Sequence, residues 1–152
     1  QRAVEDYDKA IELDPDYAAA YHNRGDSYGD LGQYQRAIED YDKAIELDPD
    51  YAAAYHNRGD SYGNLGQYQR AIEDYDKAIQ LDPNFASAYN NWGLAYRTLG
   101  ENHRAIEDYD KAIQSDQNLA MAYNNRGWSY HELGQASNAQ QDWDKARSLG
   151  IE

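Results

Sequence analysis

The sequence predicts an all-α fold built from repeated helix pairs, and three observations support this prediction. The chain matches itself when it is shifted by 34 residues, and 31 of the 34 residues in 17–50 recur in 51–84. Within each repeat, apolar residues recur every three or four positions, as they do on one face of a helix. Glycine ends the first of these stretches in each full repeat. A fixed period of this length is typical of proteins in which each repeat buries its apolar face against its neighbours.

The chain opens on half a repeat. Its first 16 residues, QRAVEDYDKAIELDPD, match 35–50 with one change, Val4 in place of Ile38. They predict a second helix, 1–13, without the first helix of its pair. Full repeats follow at 17–50, 51–84, 85–118 and 119–152, and these are repeats 1 to 4 below. One array is therefore predicted to span 1–152.

Each full repeat predicts two amphipathic helices joined by a tight turn. In repeat 1 the apolar residues of the first helix are Ala18, Tyr21, Gly25, Tyr28 and Leu31, and those of the second are Tyr34, Ala37, Ile38, Tyr41, Ala44, Ile45 and Leu47. Gly32 is expected to end the first helix, because glycine readily adopts the left-handed conformation found there. Asp48 and Pro49 are expected to end the second.

A glycine inside the first helix of each full repeat needs an explanation, because glycine there costs about 1 kcal/mol relative to alanine. The four residues concerned are Gly25, Gly59, Gly93 and Gly127. We expect the second helix to approach closely at this point, with the small residues Ala37 and Ala44 meeting the glycine in repeat 1.

The composition excludes several classes of function. Acidic residues outnumber basic residues by 28 to 14, and the net charge of −14 argues against a nucleic-acid-binding protein, which needs clustered lysine and arginine. The chain has no cysteine, which excludes disulfides, thiolate metal sites and cysteine nucleophiles. No apolar run approaches the roughly 20 residues needed to span a bilayer, so no membrane contact is predicted. The cellular location is left open, with the cytoplasm favoured over secretion.

One stretch carries a family resemblance. In AYHNRGDSYGDLGQYQRAIEDYDKAIELDP, at 20–49, the residues that carry it are Tyr21, Gly25, Tyr28, Gly32, Ala37, Tyr41, Ala44 and Pro49. Their spacing resembles the tetratricopeptide repeat, and the match covers the whole chain. Repeat 3 departs from the pattern at Gln117, in place of the proline, and repeat 4 at Trp143, in place of the second-helix tyrosine.

The resemblance implies a right-handed superhelical solenoid of antiparallel helix pairs. It also implies that the first helix of each pair lines a concave groove, which binds an extended peptide or a partner helix. It implies neither catalysis nor a cofactor.

Histidine and aspartate share one helix face in repeats 1 and 2, at His22, Asp26, His56 and Asp60. A general-base role is rejected, because no nucleophile, oxyanion site or enclosed pocket accompanies them. The protein is therefore predicted not to be an enzyme. Imidazole and carboxylate are ligands that suit zinc or nickel. Adjacent first helices lie about 10 Å apart, however, so these side chains would have to reach across the groove, and no metal site is predicted. Metal binding by these four residues remains an alternative.

One asparagine per full repeat falls on the groove face, at Asn23, Asn57, Asn91 and Asn125. An amide both donates and accepts hydrogen bonds, so it can pair with any peptide backbone. The resemblance implies that these residues grip a ligand backbone. The alternative is that they bond locally within the helix or to water.

The predicted groove changes character along the chain. Repeats 1 and 2 offer small and acidic residues, whereas repeats 3 and 4 offer bulkier residues at Leu94, Arg97, Trp128 and His131. A ligand with a basic segment and an apolar anchor would suit both. The alternative for Trp128 is packing against a further repeat.

A carboxylate clamp for chaperone tails, a known specificity of the family, is excluded. Its slots hold His22, Asp26, Asn57, Ser87 and Asn91 in this chain, and only the central asparagine fits. An aspartate in the position meant to receive a carboxylate would repel it.

Three arginines of the first helices are each followed, 16 residues later, by an aspartate of the second helix. The pairs are Arg24 with Asp40, Arg58 with Asp74, and Arg126 with Asp142. We expect an ion pair within each of these repeats. Repeat 3 has Trp92 opposite Asp108 instead.

The leading prediction is a protein–protein interaction module that binds a basic peptide in its groove. The alternatives are a self-associating scaffold, or a fragment of a larger protein that carries catalysis elsewhere, since the chain begins inside a repeat and without methionine. Self-association would use the apolar stripes of the terminal helices, Val4, Tyr7, Ala10 and Ile11 at one end and Trp143, Ala146 and Leu149 at the other.

Overall fold

The computed structural model describes residues 2–151, and all regular secondary structure in that range is helical. Its nine helices are α1 (Arg2–Leu13), α2 (Ala18–Asp30), α3 (Tyr34–Leu47), α4 (Ala52–Asn64), α5 (Tyr68–Leu81), α6 (Ala86–Thr98), α7 (Asn102–Ser115), α8 (Ala120–Glu132) and α9 (Ala136–Ser148). The predicted half repeat and the two helices of each full repeat are confirmed. No helix within 2–151 combines the length and apolar character needed to cross a bilayer.

A glycine in the left-handed region closes each first helix. Gly32 has a φ of 70°, and the amide of Gln33 donates to the carbonyl of Tyr28 over 2.8 Å. This bond caps the end of α2 and leaves three residues before α3 begins. The turn reverses the chain, so that α2 and α3 pack as an antiparallel pair.

The turn after each second helix keeps its geometry even where its sequence changes. In repeat 1 the backbone at Asp48 is extended, and its carboxylate accepts the amide of Asp50 over 3.1 Å. In repeat 3 Asp116 accepts the amide of Asn118 over 2.9 Å in the same way, although Gln117 stands in place of proline. The aspartate therefore sets the turn, and the proline is not required.

The helices form two compact units. Unit 1 ends at Leu81 and contains α1 to α5; unit 2 begins at Asp82 and contains α6 to α9. Within each unit, consecutive helices pack against each other. The core is made mainly of alanine with a few tyrosines and isoleucines, as at Ala37, Ile38 and Tyr41 in unit 1 and Ala105 and Tyr109 in unit 2. One continuous array over 1–152 remains a prediction.

The close approach at the helical glycines is present, but its main partner differs from the prediction. A β-carbon on Gly25 would lie 2.7 Å from Cε1 of Tyr41, and one on Gly59 would lie 2.8 Å from Cε1 of Tyr75. The glycine therefore makes room for an aromatic ring. The alanines contribute less, since their nearest atom at Gly59 is the backbone carbonyl oxygen of Ala71, at 3.3 Å.

The terminal helices differ in how well they are covered. None of the residues of α1 is buried, and Tyr7 and Ile11 are partly exposed, as predicted. Ala146, which was predicted to belong to the apolar stripe available for self-association at the other end, is buried, so this part of the prediction is wrong. The chain turns back after α9, and the amide of Ile151 donates to the carbonyl of Ala146 over 3.1 Å.

Candidate functional site

Asp26 is the centre of a hydrogen-bond network in unit 1. Its Oδ1 accepts the hydroxyl of Tyr41 over 2.7 Å and the Nδ2 of Asn57 over 2.8 Å. These contacts join α2, α3 and α4. Burial and the hydrogen bond to Asp26 raise the pKa of the Tyr41 hydroxyl, which therefore stays a donor. About two fifths of the Asp26 side chain remains exposed, so a ligand can still reach it.

Asn57 is fully engaged within unit 1. Besides the bond to Asp26, its Nδ2 lies 3.2 Å from Nε2 of His22, and its Oδ1 lies 2.9 Å from Nδ1 of His56. Both amide hydrogens and the amide oxygen therefore have partners. Asn57 connects α4 to α2, which is a structural role that competes with gripping a ligand.

The other three predicted asparagines have different surroundings. Asn125 is buried and donates to Oδ1 of Asn90 over 3.0 Å, which joins α8 to α6. Asn90 in turn donates to Oδ1 of Asn91 over 2.9 Å. Asn23 is partly exposed, and its Oδ1 lies 3.4 Å from Nδ1 of His22. The main bonds of Asn57 and Asn125 cross to another helix, which the within-helix alternative did not anticipate, and a role in gripping ligand backbone stays a prediction.

The two predicted histidines, His22 and His56, are buried. The ring of His22 stacks on Tyr51, with centroids 4.7 Å apart and an interplanar angle of 27°. Its Nδ1 lies 3.4 Å from Oδ1 of Asn23 and 3.7 Å from a carboxylate oxygen of Asp26, and its Nε2 lies 3.2 Å from Nδ2 of Asn57. Among residues 2–151, no three histidine, aspartate or glutamate side chains are grouped as a metal site requires.

The groove face of unit 1 contains an open pocket of about 430 Å³. Its lining, called the unit 1 groove below, is Asp26, Gly29, Asp30, Tyr34, Tyr41, Asn57, Asp60, Ser61 and Asn64. Three of these residues are aspartates, and none of the described lining residues is basic. The structure therefore brings the predicted Asp26, Asn57 and Asp60 together in one acidic pocket.

The predicted residues of unit 2 are bulkier and more exposed. Leu94 and Trp128 are exposed, and Arg97 is half-buried. Trp128 packs edge-on against Trp143, with centroids 5.1 Å apart, and against His131 at 5.8 Å. A second pocket of about 270 Å³ lies here, lined by Asn124, Trp128, Trp143, Ala146, Arg147 and Ile151.

The predicted ion pairs between arginine and aspartate are confirmed in repeats 1, 2 and 4. Arg24 donates to both carboxylate oxygens of Asp40, over 2.6 and 2.8 Å, and Asp40 is buried. The bonds to Asp40 raise the pKa of Arg24, so the guanidinium stays charged. Sequence reasoning missed a second carboxylate, Asp8, which accepts from the same arginine over 2.7 Å.

The missed bond recurs along the chain. Arg58 also donates to Asp42, and Arg126 to Asp110. Each of these aspartates precedes its arginine by 16 residues, the spacing that led to the first set of pairs, so the signal was present in the sequence. Each arginine thus joins its own second helix to the second helix that precedes it.

Repeat 3 lacks the arginine, and this changes its buried carboxyl. Asp108 is buried, and its nearest cation is Nζ of Lys111, 3.4 Å away. Burial raises the pKa of Asp108 to about 6, against the opposing effect of Lys111. The indole nitrogen of Trp92, which occupies the arginine position, is buried without a hydrogen-bond partner in the described structure.

Comparison with known families identifies the repeat. A profile described as TPR repeat matches 1–32, 25–66 and 93–134, and profiles described as tetratricopeptide repeat match 52–85 and 74–107. The chain belongs to the tetratricopeptide repeat (TPR) family. The predicted all-α TPR fold is confirmed, and membership supports a general role in protein–protein interaction.

Solved structures of TPR proteins resemble this TPR chain over most of its length. A crystal structure of MamA is 32% identical, with a TM-score of 0.86, and the match covers 96% of this chain and 85% of MamA. MamA from Desulfovibrio magneticus RS-1 shares the fold at 23% identity, with a TM-score of 0.85 over 96% of this chain and 82% of that one.

A third structure contains a ligand. The first TPR of Spaghetti (RPAP3), bound to the HSP90 peptide SRMEEVD, is 26% identical, with a TM-score of 0.75 over 77% of this chain and 93% of that one. Comparison with curated proteins gave no match.

Proposed function

We propose that this TPR chain is a non-catalytic interaction module whose unit 1 groove binds a basic segment of an extended partner peptide. The observation that carries the proposal is the pocket of about 430 Å³ with Asp26, Asp30 and Asp60 in its lining. Three carboxylates in one pocket favour a lysine or arginine side chain. The net charge of −14 adds a long-range attraction for a basic partner.

The pocket also offers aromatic surface to the ligand. Tyr34 and Tyr41 both belong to its lining. The methylene stem of a lysine or arginine can pack along such rings while its charged end reaches a carboxylate. Asp30 is exposed at the end of α2, where it can contact a ligand without breaking the network around Asp26.

An acidic chaperone tail is not the proposed ligand of the unit 1 groove. The RPAP3 domain binds a peptide that contains two glutamates and an aspartate. The corresponding clamp slots of this chain include His22, which is buried, Asp26, which is acidic, and Asn57, whose amide is already hydrogen-bonded. A carboxylate placed there would meet Asp26 rather than a cation.

Binding of a fluorescein-labelled peptide with alternating lysine and glycine, compared with its glutamate counterpart, tests the proposal. We expect the fluorescence anisotropy to rise on addition of protein for the lysine peptide only. Asp30→Lys should weaken binding about tenfold, since it replaces an attractive charge with a repulsive one. Loss of fold would not explain that result, because a cation at the end of α2 interacts favourably with the helix dipole.

Asp50→Lys is the matched control, because it makes the same charge change at an exposed residue outside the unit 1 groove. If both variants weaken binding equally, the peptide responds to net charge alone and the unit 1 groove is not its site. Equal binding of the lysine and glutamate peptides would also rule the proposal out.

A second candidate is self-association through α1. Helix α1 buries none of its residues, Tyr7 and Ile11 remain partly exposed, and Leu13 is 87% exposed. An exposed apolar stripe of this kind can pair with a second copy of the chain. Sedimentation equilibrium tests it. A monomer mass at all concentrations, unchanged when Tyr7 and Ile11 are both replaced by lysine, would exclude association.

A further inference from the structure

The groove face of unit 2 differs from that of unit 1 around one buried tyrosine. Tyr109 is the repeat 3 equivalent of Tyr41 and Tyr75, and it is fully buried. In repeats 1 and 2 the tyrosine hydroxyl donates to an aspartate of the first helix, over 2.7 Å in both cases. In repeat 3 that position holds Leu94, and the hydroxyl of Tyr109 has no partner among the described residues. A buried donor in this state favours any acceptor that can reach it.

Arg97 places a positive charge beside this hydroxyl. It stands where repeats 1 and 2 have Gly29 and Gly63, and a β-carbon on those glycines would lie 3.9 and 3.8 Å from the tyrosine hydroxyl oxygen. Burial raises the pKa of Tyr109, the charge of Arg97 opposes that rise, and the carboxylates of Asp108 and Glu132 add to it.

Arg97 also lacks a carboxylate of its own. Its side chain is half-buried and forms no hydrogen bond or ion pair with any residue of 2–151. The chain has twice as many acidic residues as basic ones, so an internal partner would have been easy to supply. A partly desolvated guanidinium without an anion favours a ligand that brings one.

Two further polar groups of unit 2 lack hydrogen-bond partners, and both belong to residues at positions equivalent to residues of the unit 1 groove. The hydroxyl of Ser129 and the Oδ1 of Asn102 are buried without a hydrogen bond in the described structure. Their counterparts in unit 1, Ser61 and Tyr34, both line the unit 1 groove. The unit 2 cluster is therefore Leu94, Arg97, Asn102, Tyr109 and Ser129.

We propose that the unit 2 cluster binds the carboxylate of an acidic side chain in an extended partner peptide. The ligand supplies the acceptor that Asp26 and Asp60 supply to tyrosine in repeats 1 and 2. Arg97 and the Tyr109 hydroxyl donate to the carboxylate, and the amide oxygen of Asn102 accepts a backbone N–H of the peptide. The side chain of Leu94 is exposed, and admission of the carboxylate to the buried Tyr109 hydroxyl requires Leu94 to take another rotamer.

This proposal does not depend on the basic-peptide proposal for unit 1. It uses different residues and a ligand group of opposite charge, so either proposal can fail without the other. The residues also differ from the slots of the chaperone-tail clamp, since neither Arg97 nor Tyr109 is among them.

The test compares two peptides that differ in one group. Both carry leucine on each side of a central residue, an N-terminal fluorescein and an amidated C-terminus, and the central residue is aspartate in one and asparagine in the other. We expect the aspartate peptide to bind at least about tenfold more tightly in a titration up to millimolar protein, because a charge-assisted bond replaces a neutral one. Equal binding, or no binding of the aspartate peptide, would overturn the proposal.

Three variants locate the carboxylate. Arg97→Ala and Tyr109→Phe should each reduce binding of the aspartate peptide by roughly tenfold and leave the asparagine peptide unchanged. Tyr109→Phe breaks no described hydrogen bond, so the chain should fold as before. Arg104→Ala is the control for lost charge, since Arg104 is exposed and pairs with Glu101 outside the cluster. An equal loss for Arg97→Ala and Arg104→Ala would contradict the proposal.

Leu94→Asp gives the sharpest result, because it restores the internal carboxylate of repeats 1 and 2. We expect this variant to lose binding of the aspartate peptide and to melt at a higher temperature than the parent chain. Retained binding together with a lower melting temperature would show that the cluster does not receive a carboxylate. An asparagine peptide with a free C-terminus that binds as tightly as the blocked aspartate peptide would overturn the assignment to a side chain.

Discussion

The carboxyl group of Asp108 occupies the same buried position as those of Asp40 and Asp142, but no arginine reaches it. Its pKa of about 6 lies above the usual 3.8, because burial disfavours the charged form. The carboxyl of Asp108 therefore binds its proton more tightly in the folded state than in the unfolded chain. The stabilisation from protonated Asp108 is complete below about pH 4 and is lost as the pH rises to about 6, a change of up to about 3 kcal/mol.

We predict that Asp108→Asn stabilises the protein at pH 7 by about 1 to 3 kcal/mol, because it removes a buried charge that is paired with a half-exposed lysine at 3.4 Å rather than with an arginine that donates to both oxygens. The gain should shrink as the pH falls from 6 to 4, where the parent carboxyl becomes protonated. Urea unfolding of both proteins at several pH values measures it.

Asp142→Asn is the matched control in the same unit. Asp142 accepts two hydrogen bonds from Arg126, over 2.7 and 2.8 Å, so the substitution should destabilise the protein at pH 7. If both substitutions destabilise to the same degree, the charged carboxyl of Asp108 is stabilised by its surroundings despite the missing arginine.

At the scale of the helix, one aromatic ring fixes how closely two helices approach. A methyl group added at Gly59 would lie 2.8 Å from the ring of Tyr75, which is buried and cannot move freely. We predict that Gly59→Ala destabilises the protein by about 1 to 3 kcal/mol, although alanine is the better helix former. Thermal unfolding measures the change.

Gly63→Ala is the control, because it lies in the same helix, α4, but its added methyl would be 3.8 Å from the Tyr75 hydroxyl oxygen, an ordinary contact. It should stabilise the protein by up to about 1 kcal/mol through helix propensity alone. A stabilising effect from both substitutions would mean that α4 and α5 shift apart at little cost to admit the methyl group added at Gly59.

Arg24 connects α2 to two other helices, and its two carboxylate partners differ in burial. Asp40 on α3 is buried, whereas the Asp8 side chain on α1 is about half exposed. We predict that Asp40→Asn lowers the free energy of unfolding by about 3 kcal/mol, since it breaks a buried, bidentate ion pair. Asp8→Asn should cost less than about 1 kcal/mol, because exposed pairs contribute little. Equal losses in urea unfolding would contradict this difference.

Sequence reasoning predicted the helices well and their polar contacts less completely. The helix bounds followed from the 34-residue period and from residues such as Gly32, because these signals are local. The bond from Arg24 to Asp40 followed from a constant spacing. The bonds of Tyr41 and Asn57 to Asp26 were missed, because each joins different helices and depends on side-chain directions that a linear pattern does not specify.

Unit 2 shows the same limit at the candidate site. The sequence indicated that Leu94 and Arg97 change the character of the groove, but not that Leu94 leaves a buried hydroxyl without an acceptor. That consequence depends on the packing of Tyr109 against α6. It became visible only because repeats 1 and 2 supply a direct structural comparison, in which an aspartate fills the same position.

At the scale of the whole chain, the excess of acidic residues sets how salt acts on stability and binding. With 28 acidic and 14 basic residues, the folded chain brings like charges together, and added salt screens their repulsion. The ion pair of Arg24 with Asp40 is buried, so salt weakens it much less. We therefore predict that the free energy of unfolding in urea rises when sodium chloride is increased from about 10 to about 300 mM, as the screening length falls from roughly 30 Å to below 10 Å.

The same salt step should act in the opposite direction on the lysine peptide, whose attraction to the unit 1 groove is also electrostatic and exposed to solvent. Urea is the proper denaturant here, because guanidinium chloride is itself a salt and would hide the effect. The two measurements together separate repulsion within the chain from attraction to the ligand, since added salt should raise the free energy of unfolding and lower the affinity for the lysine peptide. A fall in stability with added salt would show that attraction between surface ion pairs outweighs the repulsion among the excess carboxylates.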